Sequence, residues 1–287
     1  MRESELSLPD LIGESLVDDA LFADAYGIST DGERALMKTC IARLYDWYGP
    51  RKDAAREVAT RWRGGFDSVS RFAPVDFALV LFDGTLTSPA RLLASLVPAV
   101  ACGVRRILAV RLDVEEAWAP GLLTAMELAG QELVADLDRN GLAELLDRLA
   151  EAGASGAVID LTADPAACPE RAGLAVYRPV FGRNAVLFLD DDATFDLDAL
   201  AFIHPDTAFT VFGADVPLPD GFTRGGDSFS AFLDAVRDVA YAPADRVGET
   251  LDRARLVLGP GQEGCWVWPE LQSDFFLFHR TAWTIGD

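Results

Sequence analysis

Histidine is nearly missing from this chain of 287 residues: only His204 and His279 are present, outside any H-x-x-H or H-E arrangement. A zinc site or a histidine-driven proton transfer therefore has few groups to draw on. Cysteine is scarce as well. Cys40, Cys102, Cys168 and Cys265 lie far apart and form no C-x-x-C pair, which argues against a disulfide framework or a zinc knot and fits reduced thiols in a cytoplasm. Positive charge is outnumbered, 25 basic against 46 acidic residues for a net charge of -21, so a nucleic-acid backbone would be repelled. The one basic concentration, Arg34, Lys38, Arg43, Arg51, Lys52, Arg56, Arg61, Arg63 and Arg71, reads as a solvated helix face. Long apolar runs are absent too: the stretch Leu92 to Val104 is too short to span a bilayer and contains Pro98. The opening MRESELSLPD carries no basic-plus-apolar leader. The expectation is a soluble, acidic, cytoplasmic protein that binds neither membrane nor nucleic acid.

What is present is a globular composition, half hydrophobic with a mean hydropathy of +0.15. Residues 1–70 read as a helical N-terminal region. Thr30 and Glu33 have capping-box spacing, Leu36, Met37, Cys40, Ile41, Leu44, Tyr45 and Tyr48 share one face, and Gly49-Pro50 stops the helix. A second helix is expected after Pro50, with Ala55, Val58, Ala59 and Trp62 inward and an end at Gly64-Gly65. This region suits either a cap or a dimer arm. Residues 71–165 alternate strands (77–82, 106–110, 132–135, 156–161) with helices (88–101, 119–129, 142–152), which calls for crossover connections and a Rossmann-like parallel sheet. After a proline-containing connector, residues 166–287 read as a second α/β unit. It has strands at 174–177, 185–189 and 208–212, helices at 197–203 and 229–239, and three closely spaced β-runs (265–268, 275–279, 282–285) as antiparallel additions. Trp266, Trp268 and Trp283 offer burial and self-association, and a homodimer is the expected assembly. The fold class is α/β.

Candidate site residues cluster after the first strand of that sheet. Ser88 can cap the following helix with Pro89 at its first position, which turns the amides near Gly84, Thr85, Thr87 and Ser88 toward the strand's carboxyl end. That is either a phosphate site or simply a well-capped βα turn, since G-x-G-x-x-G is absent. The segment LVLFDGTLTSPARLLASLVPAVACGVRRILAV and the later PGLLTAMELAGQELVADL resemble the cofactor domain of histidinol dehydrogenase, in the aldehyde-dehydrogenase-like group. The residues that carry the resemblance are Gly84, Thr85, Ser88, Pro89, Pro98, Gly103, Val104, Arg106, Ile107 and the helix end Leu128-Ala129-Gly130. It implies a nucleotide ligand, NAD(P), at Gly84, Thr85, Thr87 and Ser88. The family's chemistry, which relies on histidines for zinc and for proton transfer, finds no recognisable counterpart among His204 and His279. Histidinol oxidation is not expected.

Other motifs have ordinary readings beside the functional ones. LFDGTLTS resembles the haloacid-dehalogenase motif with Asp83 in the acid/base place, but Leu81 stands where the nucleophilic aspartate should, so no aspartyl-phosphate can form. Cys265, after GQEG, resembles the aldehyde-dehydrogenase nucleophile context with one residue too many, and a small core residue is the bland alternative. Asp190, Asp191, Asp192, Asp196 and Asp198 could gather a divalent cation, though Asp196 as a helix cap explains its place. Two functions stay open. One is a divergent histidinol-dehydrogenase-like protein that binds a nucleotide or acts in regulation or assembly. The other is an oxidoreductase using NAD(P) or a CoA ester.

Overall fold

Thr30 opens a helix as the sequence predicts: its hydroxyl accepts from the Glu33 amide at 3.2 Å, and its own amide donates to Glu33 Oε2 at 2.7 Å. In the computed structural model, which describes residues 8, 12–49, 55–180, 182–190 and 195–285, this helix is α2 (Asp31–Tyr48), preceded by α1 (Asp19–Ile28). It buries Met37, Cys40, Leu44 and Tyr48 and ends on Gly49. The helix expected next is not formed. Arg56–Trp62 is strand β1, joined through Gly64-Gly65 to β2 (Phe66–Pro74), whose other edge pairs antiparallel with β13 (Leu277–Ile285). The helical spacing of Ala55, Val58, Ala59 and Trp62 loses to a turn with Gly65 at φ 81, a full ladder on β2, and stacking of Trp62 on Phe66 at 5.7 Å. Arg56, Arg61 and Arg71 accordingly sit on strands, not on a helix face, and Arg51 and Lys52 lie outside the described residues.

The alternating segment builds the parallel sheet its pattern predicts, extended by the run at 174–177, which pairs with the strand at 156–160 and so belongs to this sheet and not to the second unit expected from residue 166. Its strands are β3 (Phe77–Phe82), β4 (Ile107–Leu112), β5 (Val134–Leu137), β6 (Gly156–Asp160) and β7 (Leu174–Tyr177), in the order β5-β4-β3-β6-β7. Helices α3 (Pro89–Ala101), α4 (Pro120–Ala129) and α5 (Arg139–Glu151) connect them. A second parallel sheet follows, of β8 (Asn184–Leu189), β9 (Ala208–Gly213), β10 (Phe222–Gly226), β11 (Val239–Tyr241) and β12 (Leu256–Leu258), with α6 (Leu197–Ile203), α7 (Phe229–Ala235) and α8 (Val247–Leu251). Its order, β10-β9-β8-β11-β12, repeats the first: third, second, first, fourth, fifth. In both sheets the strand order reverses between the first and fourth strands, the place where such sheets open a crevice. Three expectations are corrected here. The 229–239 helix stops at Ala235, and Val239 begins β11; Cys265 to Trp268 form no strand; the last two β-runs are a single strand, β13, entered through a 3-10 turn at Ser273–Phe276.

Strand alternation divides the packing. Ala78, Val80 and Phe82 of β3 face a large core that also holds Leu187, Leu200, Phe209, Tyr241 and Trp266, whereas Phe77, Leu79 and Leu81 face a second core with Leu142, Leu145, Leu146 and Leu149 of α5. Helix α3 lies inside the shared core and is buried almost all round, including Arg91 and Ser95. A helix without a solvent face must satisfy its polar side chains internally. At the far sheet, Gly213 has φ 89, and a Cβ there would stand 1.8 Å from the Leu189 carbonyl oxygen, so only glycine fits. No helix among the described residues is long and apolar enough to cross a membrane.

Candidate functional site

The two strands that flank the first reversal point end in the same local device, Asp-x-Thr. At the end of β3, Asp83 Oδ1 accepts from the Thr85 amide at 2.9 Å and from the Thr85 hydroxyl, while Oδ2 accepts from the Ala163 amide at 2.7 Å. At the end of β6, Asp160 Oδ1 accepts from the Thr162 amide at 3.1 Å and hydroxyl at 2.6 Å. Aspartate bonding two residues ahead turns the chain sharply, so both strands stop in tight loops that face one another. Burial pushes the Asp83 carboxyl up, but the Thr85 hydroxyl, the Ala163 and Thr85 amides and the nearby Arg183 charge outweigh it, and its pKa lies below the ordinary value.

Between these loops is a cavity of about 450 Å³, walled by Thr85, Leu86, Arg91, Asp160 to Ala163, Pro179, Arg183 and Trp268. Arg183 arrives from the segment before β8 and reaches the β3 loop, donating from Nη2 to Thr85 Oγ1 at 2.6 Å and from Nη1 to the Thr85 carbonyl. Arg178 holds Asp160 from outside, with Nε to Oδ2 at 2.9 Å and Nη2 to the Cys168 carbonyl at 2.7 Å. Further along the same edge, Asp113 ends β4 in the left-handed conformation at φ 54. It accepts from Arg139 Nε at 2.8 Å, and the same guanidinium reaches Asp164 at 2.7 Å.

The start of α3 is occupied from within. Ser88 caps it by accepting from the Arg91 amide at 3.2 Å and donates its own proton to the Ile203 carbonyl at 2.8 Å. That leaves His204 Nδ1, at 3.2 Å, to donate to Ser88, and His204 Nε2 to accept from the Tyr241 hydroxyl at 3.1 Å. Burial, and then the Arg91 charge, push the imidazole down to a pKa of about 3, against the pull of the Glu263 and Cys265 carbonyls; burial raises the Tyr241 phenol. Asp206 Oδ2 accepts from the Thr87 amide at 3.3 Å, and Oδ1 lies 3.8 Å from Arg91 Nη1. A carboxylate of the chain itself thus stands where a helix N-terminus attracts an anion. Of the residues singled out by sequence, Gly84 and Thr85 are exposed on the loop, Thr87 is half-buried and Ser88 is fully buried beneath it. A Cβ at Gly84 would meet only Val114, at 3.7 Å.

The remaining motifs fall away from the cavity. Cys265 is buried against Cys40; the hydrogen bond from Cys40, followed by the Arg43 charge, lowers its thiol pKa against the effect of burial, and the same bond raises that of Cys40. His279 is exposed on β13 beside Phe72. Asp196 caps α6, accepting from the Ala199 amide at 2.9 Å, whereas Asp191 and Asp192 lie outside the described residues. Among the described residues no three His, Cys, Asp or Glu side chains are grouped to hold a metal ion, and the two histidines sit apart, so zinc of the kind used in histidinol oxidation does not fit them.

No family model matches the chain, and neither does any curated protein. Among solved structures, histidinol dehydrogenase from Elizabethkingia anophelis is similar with a TM-score of 0.55 at 11% identity, over 95% of this chain and 77% of that one. A NAD-dependent benzaldehyde dehydrogenase from Corynebacterium glutamicum (TM-score 0.48, 9% identity, 93% and 87% covered) and an aldehyde dehydrogenase from Brucella melitensis biovar abortus 2308 (0.46, 10%, 94% and 83%) are more distant. What this chain shares with histidinol dehydrogenase is its fold.

Proposed function

We propose that this protein binds a nucleotide at the carboxyl edge of its first parallel sheet and does not oxidise histidinol. The observation that carries the reading is the open cavity at the strand-order reversal between β3 and β6, bounded by Thr85 and by Asp160 to Ala163. Asp113, at the end of the next strand β4, occupies the place from which Rossmann-type sheets hydrogen-bond a ribose. Gly84, Thr85 and Thr87 would lie along the ligand, and Ser88 would hold the loop from below. NAD(P) is the cofactor class that the resemblance brings; a CoA ester is the competing one. Cys265 is not among the cavity's walls, so the reading assigns it no role.

A thermal-shift screen against NAD, NADP, their reduced forms, CoA and ATP tests this, with Ala163→Trp as the blocked variant, since Ala163 is an exposed wall residue whose contribution to Asp83 comes from its backbone. A ligand at 100 times its Kd adds about 2.7 kcal/mol, which raises Tm by roughly 5 °C at this size. The shift should vanish in Ala163→Trp. If no nucleotide moves the wild-type midpoint, the reading fails.

A second observation supports self-association. The sheet β1-β2-β13 exposes Trp62, Trp283 and Ile285 around the half-buried Phe66, with Trp283 at 72% and Ile285 at 90% exposure. Apolar side chains grouped on an open strand commonly meet another copy. We propose a homodimer through this sheet. Sedimentation velocity should give a dimer for the wild type and a monomer for Trp283→Lys; a monomeric wild type at micromolar concentration would end the proposal.

A further inference from the structure

The usual anion cradle of such a fold, the first amides of the helix after the first strand, is closed here. Asp206 accepts from the Thr87 amide, and Ser88 takes the Arg91 amide while it donates to Ile203. A negatively charged ligand in the cavity must find its donors elsewhere. Two guanidinium groups form part of the cavity wall, Arg91 and Arg183, close enough for the Arg183 charge to be felt at Arg91.

Their surroundings differ from those of the other arginines at this edge. Arg178 and Arg139 are tied directly to carboxylates. Arg183 spends two of its N–H groups on the neutral oxygens of Thr85, and among the described residues it makes no carboxylate ion pair. Arg91, with a side chain only 5% exposed, reaches Thr207 Oγ1 at 3.1 Å and stacks over Trp266 at 4.5 Å, and its carboxylate partner Asp206 stands off at 3.8 Å. Its Nε has no hydrogen-bond partner among the described residues. A buried N–H left unpaired is costly, so the Arg91 guanidinium is not fully satisfied by the protein's own groups. The nearby carboxylates do not compete for the position: Asp83 is engaged by the Thr85 and Ala163 amides, and Asp160 by the Thr162 amide and by Arg178.

The geometry points to a phosphate group held between Arg91 and Arg183, so that this protein recognises the charged part of its ligand with side chains in place of helix amides. This rests on the nucleotide reading for the identity of the ligand, not for the existence of the anion subsite. Calorimetric titration of ADP, adenosine and inorganic pyrophosphate into the full chain, its Arg183→Gln variant and its Arg183→Lys variant separates the two. The half-exposed position of Arg183 favours folded variants, and an unchanged urea midpoint verifies it. ADP is expected to bind at least tenfold more weakly to Arg183→Gln, with Arg183→Lys between them and adenosine indifferent to either change. Equal ADP binding by wild type and Arg183→Gln overturns the proposal. If ADP does not bind but pyrophosphate does, and is lost in Arg183→Gln, the nucleotide reading falls and the subsite stands. If neither ADP nor pyrophosphate binds the wild type, the subsite is refuted.

Discussion

Replacing Asp206 by alanine is expected to destabilise the protein by about 3–5 kcal/mol, because it strands a buried guanidinium without its counter-charge. Arg91 is enclosed by the shared core, and burial already lowers the stability of its charged form against the pull of Asp206. The same carboxylate takes up the Thr87 amide at the start of α3, so a second polar group loses its partner in the variant. The loss should be largely repaired when Arg91 is changed to methionine as well, since an apolar side chain over Trp266 needs no counter-charge. Urea unfolding of the two single variants and the double variant measures this directly. A cost below about 1 kcal/mol for Asp206→Ala, or a double variant no more stable than the single one, would show that the pair does not hold α3 in place.

Acid should weaken the fold through His204 well before the carboxylates protonate. The imidazole takes a proton near pH 6.5 in an unfolded chain and only at about 3 in the folded one. Between those values the unfolded state binds more protons, so stability is complete above about pH 6.5 and falls as the pH drops toward 3, by up to about 1.4 kcal/mol for each pH unit. Burial, and then the nearby Arg91 charge, explain the resistance. Glutamine can donate to Ser88 and accept from Tyr241 without titrating. The difference in stability between wild type and His204→Gln, followed from pH 7 to 5, should therefore shrink or reverse with that slope. Parallel pH curves would mean that His204 is not held neutral.

The sequence was most readable where local signals and tertiary packing agree. Ser88-Pro89, the Thr30 and Glu33 pair, and the apolar runs at 77–82 and 156–160 each specify their element with nearby residues. The parallel sheet follows from their alternation. Residues 55–62 misled because their helical period is outweighed by the ladder they form with β2 just across the Gly64-Gly65 turn, a pairing that a helical period in 55–62 alone does not reveal. The short strands β11 and β12 hold three residues each, too few for a period to show. At the site, Thr85 and Gly84 were visible as a loop after a strand, but the arginines that share their cavity were not, since Arg91 and Arg183 come from a buried helix and from the segment before β8. A signal for the shared edge does lie in the sequence: Asp83-Gly84-Thr85 and Asp160-Leu161-Thr162 repeat a turn motif after two apolar strands.

The pairing of β13 on β2 also governs the order in which the molecule can be completed. Hairpin β1-β2 leaves the ribosome early, and its third strand leaves only after both parallel sheets have been synthesised. Throughout that interval the edge of β2 offers unpaired N–H and C=O groups to any other extended chain. Pairings between such distant segments form slowly. Nascent or shortened chains should thus be most prone to misassociate at this edge, and the β1-β2-β13 sheet is the last of the three to gain its native neighbours.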